Sequence, residues 1–174
     1  CTAEPQISDV TKEHWAYDYA TSFSLNLRQG TFTLQPSSES GAESALQTDL
    51  DIRKDAEFNS GTVGRRAYNE GTISDGTFQR EVYNYGTISN GTFQWEVTNE
   101  GTISGGIFQR RVYNYEIISD GTFQGNVRNY GTISGGTFEE AVGVYASSRT
   151  EAKIEGGTFE KDMTLANDDA PITI

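Results

Sequence analysis

Residues 71–145 read, in lines of fifteen, GTISDGTFQREVYNY (71–85), GTISNGTFQWEVTNE (86–100), GTISGGIFQRRVYNY (101–115), EIISDGTFQGNVRNY (116–130) and GTISGGTFEEAVGVY (131–145). The stretch before them, AEFNSGTVGRRAYNE (56–70), fits the same frame with weaker matches. After Tyr145 the pattern returns as Ile154, GGTFE (156–160) and Met163, behind an insertion of six residues. Self-similarity at a short fixed period marks a stack of repeats, each touching only its neighbours.

Each fifteen divides into three fives: Thr72, Thr77 and Val82 stand five apart, as do Thr87, Thr92 and Val97. A three-residue strand and a two-residue turn, taken three times, close one triangular coil. Asp75-Gly76, Asn90-Gly91, Gly105-Gly106, Asp120-Gly121 and Gly135-Gly136 supply one corner with residues that tolerate positive φ. A helix with Gly at this density would lose about 1 kcal/mol per Gly against Ala. The sequence therefore predicts an all-β chain, a parallel β-solenoid with about 15 residues per triangular coil and about seven coils. At a coil spacing of ~4.8 Å the rod would be ~34 Å long.

Strand alternation assigns the faces. In Thr-Ile-Ser and Thr-Phe-Gln the middle residue points inward, which gives an isoleucine ladder (Ile73, Ile88, Ile103, Ile118, Ile133) and a phenylalanine ladder (Phe78, Phe93, Phe108, Phe123, Phe138). The third side turns in Val82, Val97, Val112, Val127 and Val142 and, two residues on, Asn69, Asn84, Asn99, Asn114 and Asn129. Stacked amides at a corner bond to one another and to turn carbonyls, so this column reads as structural. A 30-residue coil is the rival, because Glu70/Tyr85/Glu100/Tyr115 and Arg80/Trp95/Arg110 alternate with that longer period. In a 15-residue coil the same alternation keeps like charges from stacking directly, and the shorter period is preferred.

The flanks lack the repeat. Residues 1–50 are expected to form an N-terminal capping segment with a polar loop at 35–49, residues 51–166 the solenoid, and 167–174 a tail or cap. One form for the cap is a helix over TKEHWAYDYATSF (11–23), with Thr11 as N-cap and Glu13 in the first turn. Trp15 and Tyr19 would then cover Phe58 or Ile73.

Composition excludes some partners. The net charge is −12 with a pI near 4.4, and no stretch is basic enough to neutralise a run of phosphates, so nucleic acid is a poor partner. No apolar run approaches the roughly 20 residues of a membrane span. His14 is the only histidine and Cys1 the only cysteine, which leaves neither a His/Cys metal cluster nor a Cys–His catalytic pair. No catalytic residue, metal or cofactor is expected, and the chain reads as non-enzymatic. Glu81 and Glu96 are stacked acids followed by Arg111, a solvated face more than the clustered acids of a glycan-active β-helix enzyme.

Several stretches resemble known families. ISDVTKEHWAYDYATSF (7–23) is similar to the opening of a surface-layer homology motif, with Asp9-Val10 and His14-Trp15-Ala16 on its signature and Gly30-Thr31-Phe32 on its later Gly-Thr-Phe. Pro171-Ile172-Thr173 echoes that motif's close. The likeness covers the first half of one motif, whereas such motifs work in threes and bind secondary cell-wall polymers. The GTISGGTF-type repeats resemble repetitive exported proteins of Gram-positive bacteria. CTAEP (1–5) resembles the start of a mature bacterial lipoprotein, which implies a lipid on Cys1. Together these resemblances imply a cell-surface or extracellular location.

Two outer faces are candidates for binding. An aromatic stripe comprises Tyr68, Tyr83 and Tyr113, with Tyr85, Tyr115 and Tyr130 beside them and Trp95 near a corner. Exposed aromatic rings in a row suit sugar rings or a partner surface, or stack on one another merely to stabilise the rod. The second face is a hydroxyl array that pairs Thr72 with Ser74, Thr87 with Ser89, Thr102 with Ser104 and Thr132 with Ser134, interrupted by Glu116 and Ile117. Such rows resemble those of certain insect antifreeze proteins and imply ice binding as an alternative. The reading carried forward is a structural or adhesive surface rod. Its partner would be a cell-wall polymer, a glycan or another surface protein, and end-to-end self-association is a further expectation.

Overall fold

The computed structural model describes residues 6–8, 15–18, 24–35, 45–146, 151–167 and 172–173. They form a parallel β-solenoid, and no helix occurs among them. Coils pair in parallel with a register of fifteen residues. Thr72-Ile73 lies on Thr87-Ile88 and that on Thr102-Ile103, Phe78 on Phe93 on Phe108, and Val82 to Asn84 on Val97 to Asn99 on Val112 to Asn114. This pairing rules out the 30-residue coil. Arg80 and Arg110 are separated by one intervening coil instead of stacking.

The inward faces are those that alternation assigns. The five isoleucines and five phenylalanines of the ladders are no more than 1% exposed. From Phe78 to Phe159 successive phenyl rings stack face to face, with centroids 4.7–5.1 Å apart and planes within 6–8° of parallel. Identical side chains with parallel rings recur from layer to layer, the close-packed arrangement expected of a protein interior. One corner of every coil needs the backbone freedom of glycine: Gly61, Gly76, Gly91, Gly106, Gly121, Gly136 and Gly157 all have φ between 106° and 127°. These are the second residues of the turn pairs.

The asparagine column is fully buried, and its amides form a one-way chain. Asn69 Nδ2 donates to Asn84 Oδ1, Asn84 to Asn99, Asn99 to Asn114 and Asn114 to Asn129, at 2.6–2.7 Å. Asn129 ends the chain by donating to the Gly131 carbonyl at 2.8 Å. The other end is unsatisfied: Asn69 Oδ1 is buried without a partner, against Ile52 in the next coil. Buried amides are tolerable here because nearly every donor and acceptor is matched.

The ladder extends beyond the legible repeat. Ser24–Gln35 runs parallel to Asp49–Ser60, with Leu25 over Leu50, Leu27 over Ile52 and Phe32 over Phe58, all buried. Gly30-Thr31-Phe32 is therefore part of a coil. At the other end the insertion of six is accommodated without loss of register, since Ile154 lies on Ile133 and Met163 on Val142. Ile172–Thr173 then pairs in parallel with Ala152–Ile154.

The expected helical cap is corrected by the structure. Trp15–Asp18 is a strand, antiparallel to Ser24–Gln35, and Gln6–Ser8 is a second one. The physical reason is the open edge of the terminal coil. A strand pairs with the backbone N–H and C=O groups that a helix would leave exposed. Cys1, Asp9-Val10, Thr11, His14, Tyr19 and Pro171 lie outside the described residues. No described helix is long and apolar enough to cross a membrane.

Candidate binding face

Each coil carries three residues around the corner that joins the phenylalanine side to the valine–asparagine side. Phe93 and Val97 are fixed in the core by their ladders, so Gln94-Trp95-Glu96 between them must bulge outward. Stacked by register, these triplets make three outer columns. The first holds Gln79, Gln94, Gln109 and Gln124. The second holds Arg65, Arg80, Trp95, Arg110, Gly125, Glu140 and Lys161, and the third Arg66, Glu81, Glu96, Arg111 and Asn126.

Trp95 is 40% exposed and sits between two guanidiniums, with Arg80 Cζ 5.8 Å and Arg110 Cζ 6.0 Å from its ring centroid. Among the described residues, Arg65, Arg80 and Arg110 have no ion-pair partner. Their neighbours are paired: Arg66 with Asp49 at 2.8 Å, Arg111 with Glu96 at 3.4 Å and Lys161 with Glu140 at 2.8 Å. The Glu140 hydrogen bond and charge hold the Lys161 ammonium above its ordinary pKa. Gly125 breaks the column. A Cβ there would lie 2.4 Å from the Arg110 carbonyl carbon, so the backbones of the two coils approach closely at this point, and Gly125 puts no side chain over the groove. Two shallow concavities, of about 390 and 690 Å³, meet at Trp95, Gln109 and Arg110 and make a continuous groove along this corner.

The tyrosines lie elsewhere. Tyr68 and Tyr83 stack at 5.1 Å on the valine–asparagine side, followed in register by Thr98, Tyr113 and Arg128. Tyr113 lies between two arginines, with Arg111 Cζ 5.8 Å and Arg128 Cζ 5.7 Å from its ring, and its hydroxyl accepts a hydrogen bond from Arg111. On the far edge of that side Tyr115, Tyr130 and Tyr145 stack at 4.9 and 5.1 Å, while Tyr85 stands apart from them with Glu100 intervening. Burial raises the pKa of the Tyr68 and Tyr115 phenols. Trp95 and the Tyr115 stack thus occupy opposite edges of one side and do not form a single stripe. Tyr85 and Tyr115 remain 50% and 44% exposed.

In the hydroxyl array, Thr72, Thr87 and Thr102 are in register, and Ile117, 42% exposed, interrupts them before Thr132. The serines face outward, exposed at Ser89, Ser104, Ser119 and Ser134 and half-buried at Ser74. Ser104 and the next two serines of its column, Ser119 and Ser134, donate their hydroxyls to the carbonyls of Ile88, Ile103 and Ile118, and Ser74 donates to Glu57. Ser89, between Ser74 and Ser104, is exposed and tied to the coil below through its backbone, its N–H donating to the Ile73 carbonyl at 2.8 Å. Of the two stacked acids, Glu96 is held by Arg111.

In the sequence Trp95 groups with the tyrosines, and the Arg80/Trp95/Arg110 alternation reads only as a way to separate charge. The missed signal was the composition of that column: three arginines and a tryptophan in an acidic chain. No protein-family model, curated protein or solved structure matches the chain.

Proposed function

We propose that the chain is a non-enzymatic structural or adhesive rod of the cell surface or extracellular space, which presents repeating side-chain columns to a wall polymer, glycan or surface partner. The observation that carries this reading is the division of labour across the coil. From residue 72 to residue 142 the ladders that point inward are uniform, whereas the outward columns hold polar and aromatic groups at a constant pitch. A stack of this kind is stiff, and its outer face repeats a contact instead of enclosing a cleft. The acids nearest the groove are committed to ion pairs, with Glu96 on Arg111 and Glu140 on Lys161, which favours a binding role over acid–base chemistry.

The test is co-sedimentation of the full chain with isolated Gram-positive cell walls. The protein is expected in the pellet, and to be displaced by soluble wall polymer. Protein left in the supernatant at every wall concentration would sink the adhesive reading.

A further inference from the structure

We infer that the Arg65–Arg80–Trp95–Arg110 corner is a binding site for an anionic polyol polymer, a sugar or polyol chain bearing carboxylates or phosphodiesters, laid lengthwise along the rod. The inference deepens the adhesive reading above and takes its general form from it. Three observations converge. First, Arg65 and Arg80 occupy directly stacked positions, ~4.8 Å apart along the rod, and among the described residues neither has a carboxylate to neutralise it. Stacked like charges oppose pairing of the two coils. In a chain of net charge −12, with acids available throughout, these arginines nevertheless lack a counter-charge of their own. A bound anion would supply it.

Second, the guanidiniums of Arg80 and Arg110 are braced against the faces of Trp95. A guanidinium held over an indole by cation–π attraction, with no carboxylate of its own, keeps N–H donors free for a carboxylate or a phosphodiester oxygen pair. Trp95 is then a positioning residue: it holds two forks about two coils, ~10 Å, apart. Third, the groove continues past the arginines along the glutamine column and over Gly125. Gln79, Gln94, Gln109 and Gln124 offer an amide donor and an acceptor at four successive coils, between Gly64 and Glu139, which suits the hydroxyls of a sugar or polyol chain. The ligand that fits is therefore an extended, hydroxyl-rich polymer with anionic groups at intervals near ~10 Å. An acidic peptide, whose backbone N–H and C=O groups also match the amide row, is the competing ligand that polyglutamate tests.

The test measures binding of the full chain to four polymers by affinity electrophoresis: polygalacturonate, poly(glycerol phosphate), neutral dextran and polyglutamate. Polygalacturonate, poly(glycerol phosphate) or both are expected to retard the protein, and the pattern tells whether carboxylate or phosphodiester is recognised. Binding should weaken with added salt and fall by about tenfold or more in the Arg80→Gln/Arg110→Gln double variant. Tyr115→Ala, on the opposite edge of the side, should bind like the parent. Circular dichroism confirms that the variants are folded. Absence of retardation by both anionic polyols, undiminished binding by the double variant, or equal retardation by polyglutamate overturns the inference. Wall pelleting that persists in the double variant would leave the adhesive reading intact while removing this site. Polymer binding without wall pelleting would do the reverse.

Discussion

Asn99 accepts a hydrogen bond from Asn84 and donates one to Asn114, and both partners are buried. Truncating it leaves Asn114 Oδ1 without its donor. Asn69 is chemically the same residue at the end of the chain, and its own Oδ1 already lacks a partner. Truncating Asn69 orphans Asn84 Oδ1 but removes one orphan acceptor as well. Asn99→Ala is therefore expected to cost about 1–3 kcal/mol more than Asn69→Ala in urea denaturation, the difference being one buried acceptor. Equal losses would mean that the amide chain contributes nothing beyond packing. The tyrosines make a second prediction at this scale. Burial raises the folded-state pKa of Tyr68 and Tyr115, so the stability tied to their protonated form is present below the unfolded value of about 10 and is lost as pH rises through the folded pKa. Thermal melts from about pH 8 to about pH 11 should show the parent losing more stability than the Tyr68→Phe/Tyr115→Phe variant.

At the scale of the element, the repeating unit is a two- or three-residue strand and a corner, and the corner is the constrained part. The strands alone are too short to hold together: Thr77–Phe78 is two residues long. What fixes them is the ladder above and below and the positive φ between them. Gly106 has φ +106°, and a Cβ there would lie 3.1 Å from the Gly91 carbonyl oxygen and 3.3 Å from the Phe93 ring. Gly106→Ala is expected to destabilise the rod by about 1–3 kcal/mol. Gly64→Ala, at ordinary φ, meets side-chain and backbone atoms at 3.1 Å and should cost less. Comparison of the two melting temperatures checks this. If Gly106→Ala proved neutral, the turn would have to be adaptable, and the seven-fold recurrence of glycine there would lack a backbone reason.

At the scale of the molecule, a stack in which each coil touches only its neighbours should tolerate the loss of one whole coil and not of a fraction. Deletion of residues 86–100 brings Gly101 after Tyr85, restores every ladder and removes Trp95. The product is expected to fold cooperatively and to be shorter by ~4.8 Å in small-angle scattering. Deletion of 86–92 shifts each side onto the wrong ladder, places polar residues against the core and should give an unfolded or aggregated chain. Circular dichroism distinguishes the two. Failure of the fifteen-residue deletion would mean that one particular coil holds the stack together.

The period, the three sides and the identity of every inward column from residue 67 to residue 142 are legible in the sequence. Each coil there has the same length, so that equal spacing becomes direct stacking. Where the spacing is irregular, the reading stops. Leu25 and Leu50 occupy one column 25 residues apart, and Leu50 and Ala67 are 17 apart, so no period announces that Ser24–Gln35 is a coil. Its antiparallel cover at Trp15–Asp18 is decided by the unpaired edge it meets, which is a property of the assembled stack. The candidate site divides in the same way. The repeat places Arg80, Trp95 and Arg110 in one column, but only the structure shows that Arg66 and Arg111 have carboxylates and their neighbours do not, and that Trp95 lies across a side from the tyrosine stack. Spacing along the chain determines what stacks on what. Pairing between columns depends on how far each side chain reaches around a corner, and that is decided only once the coils are in place.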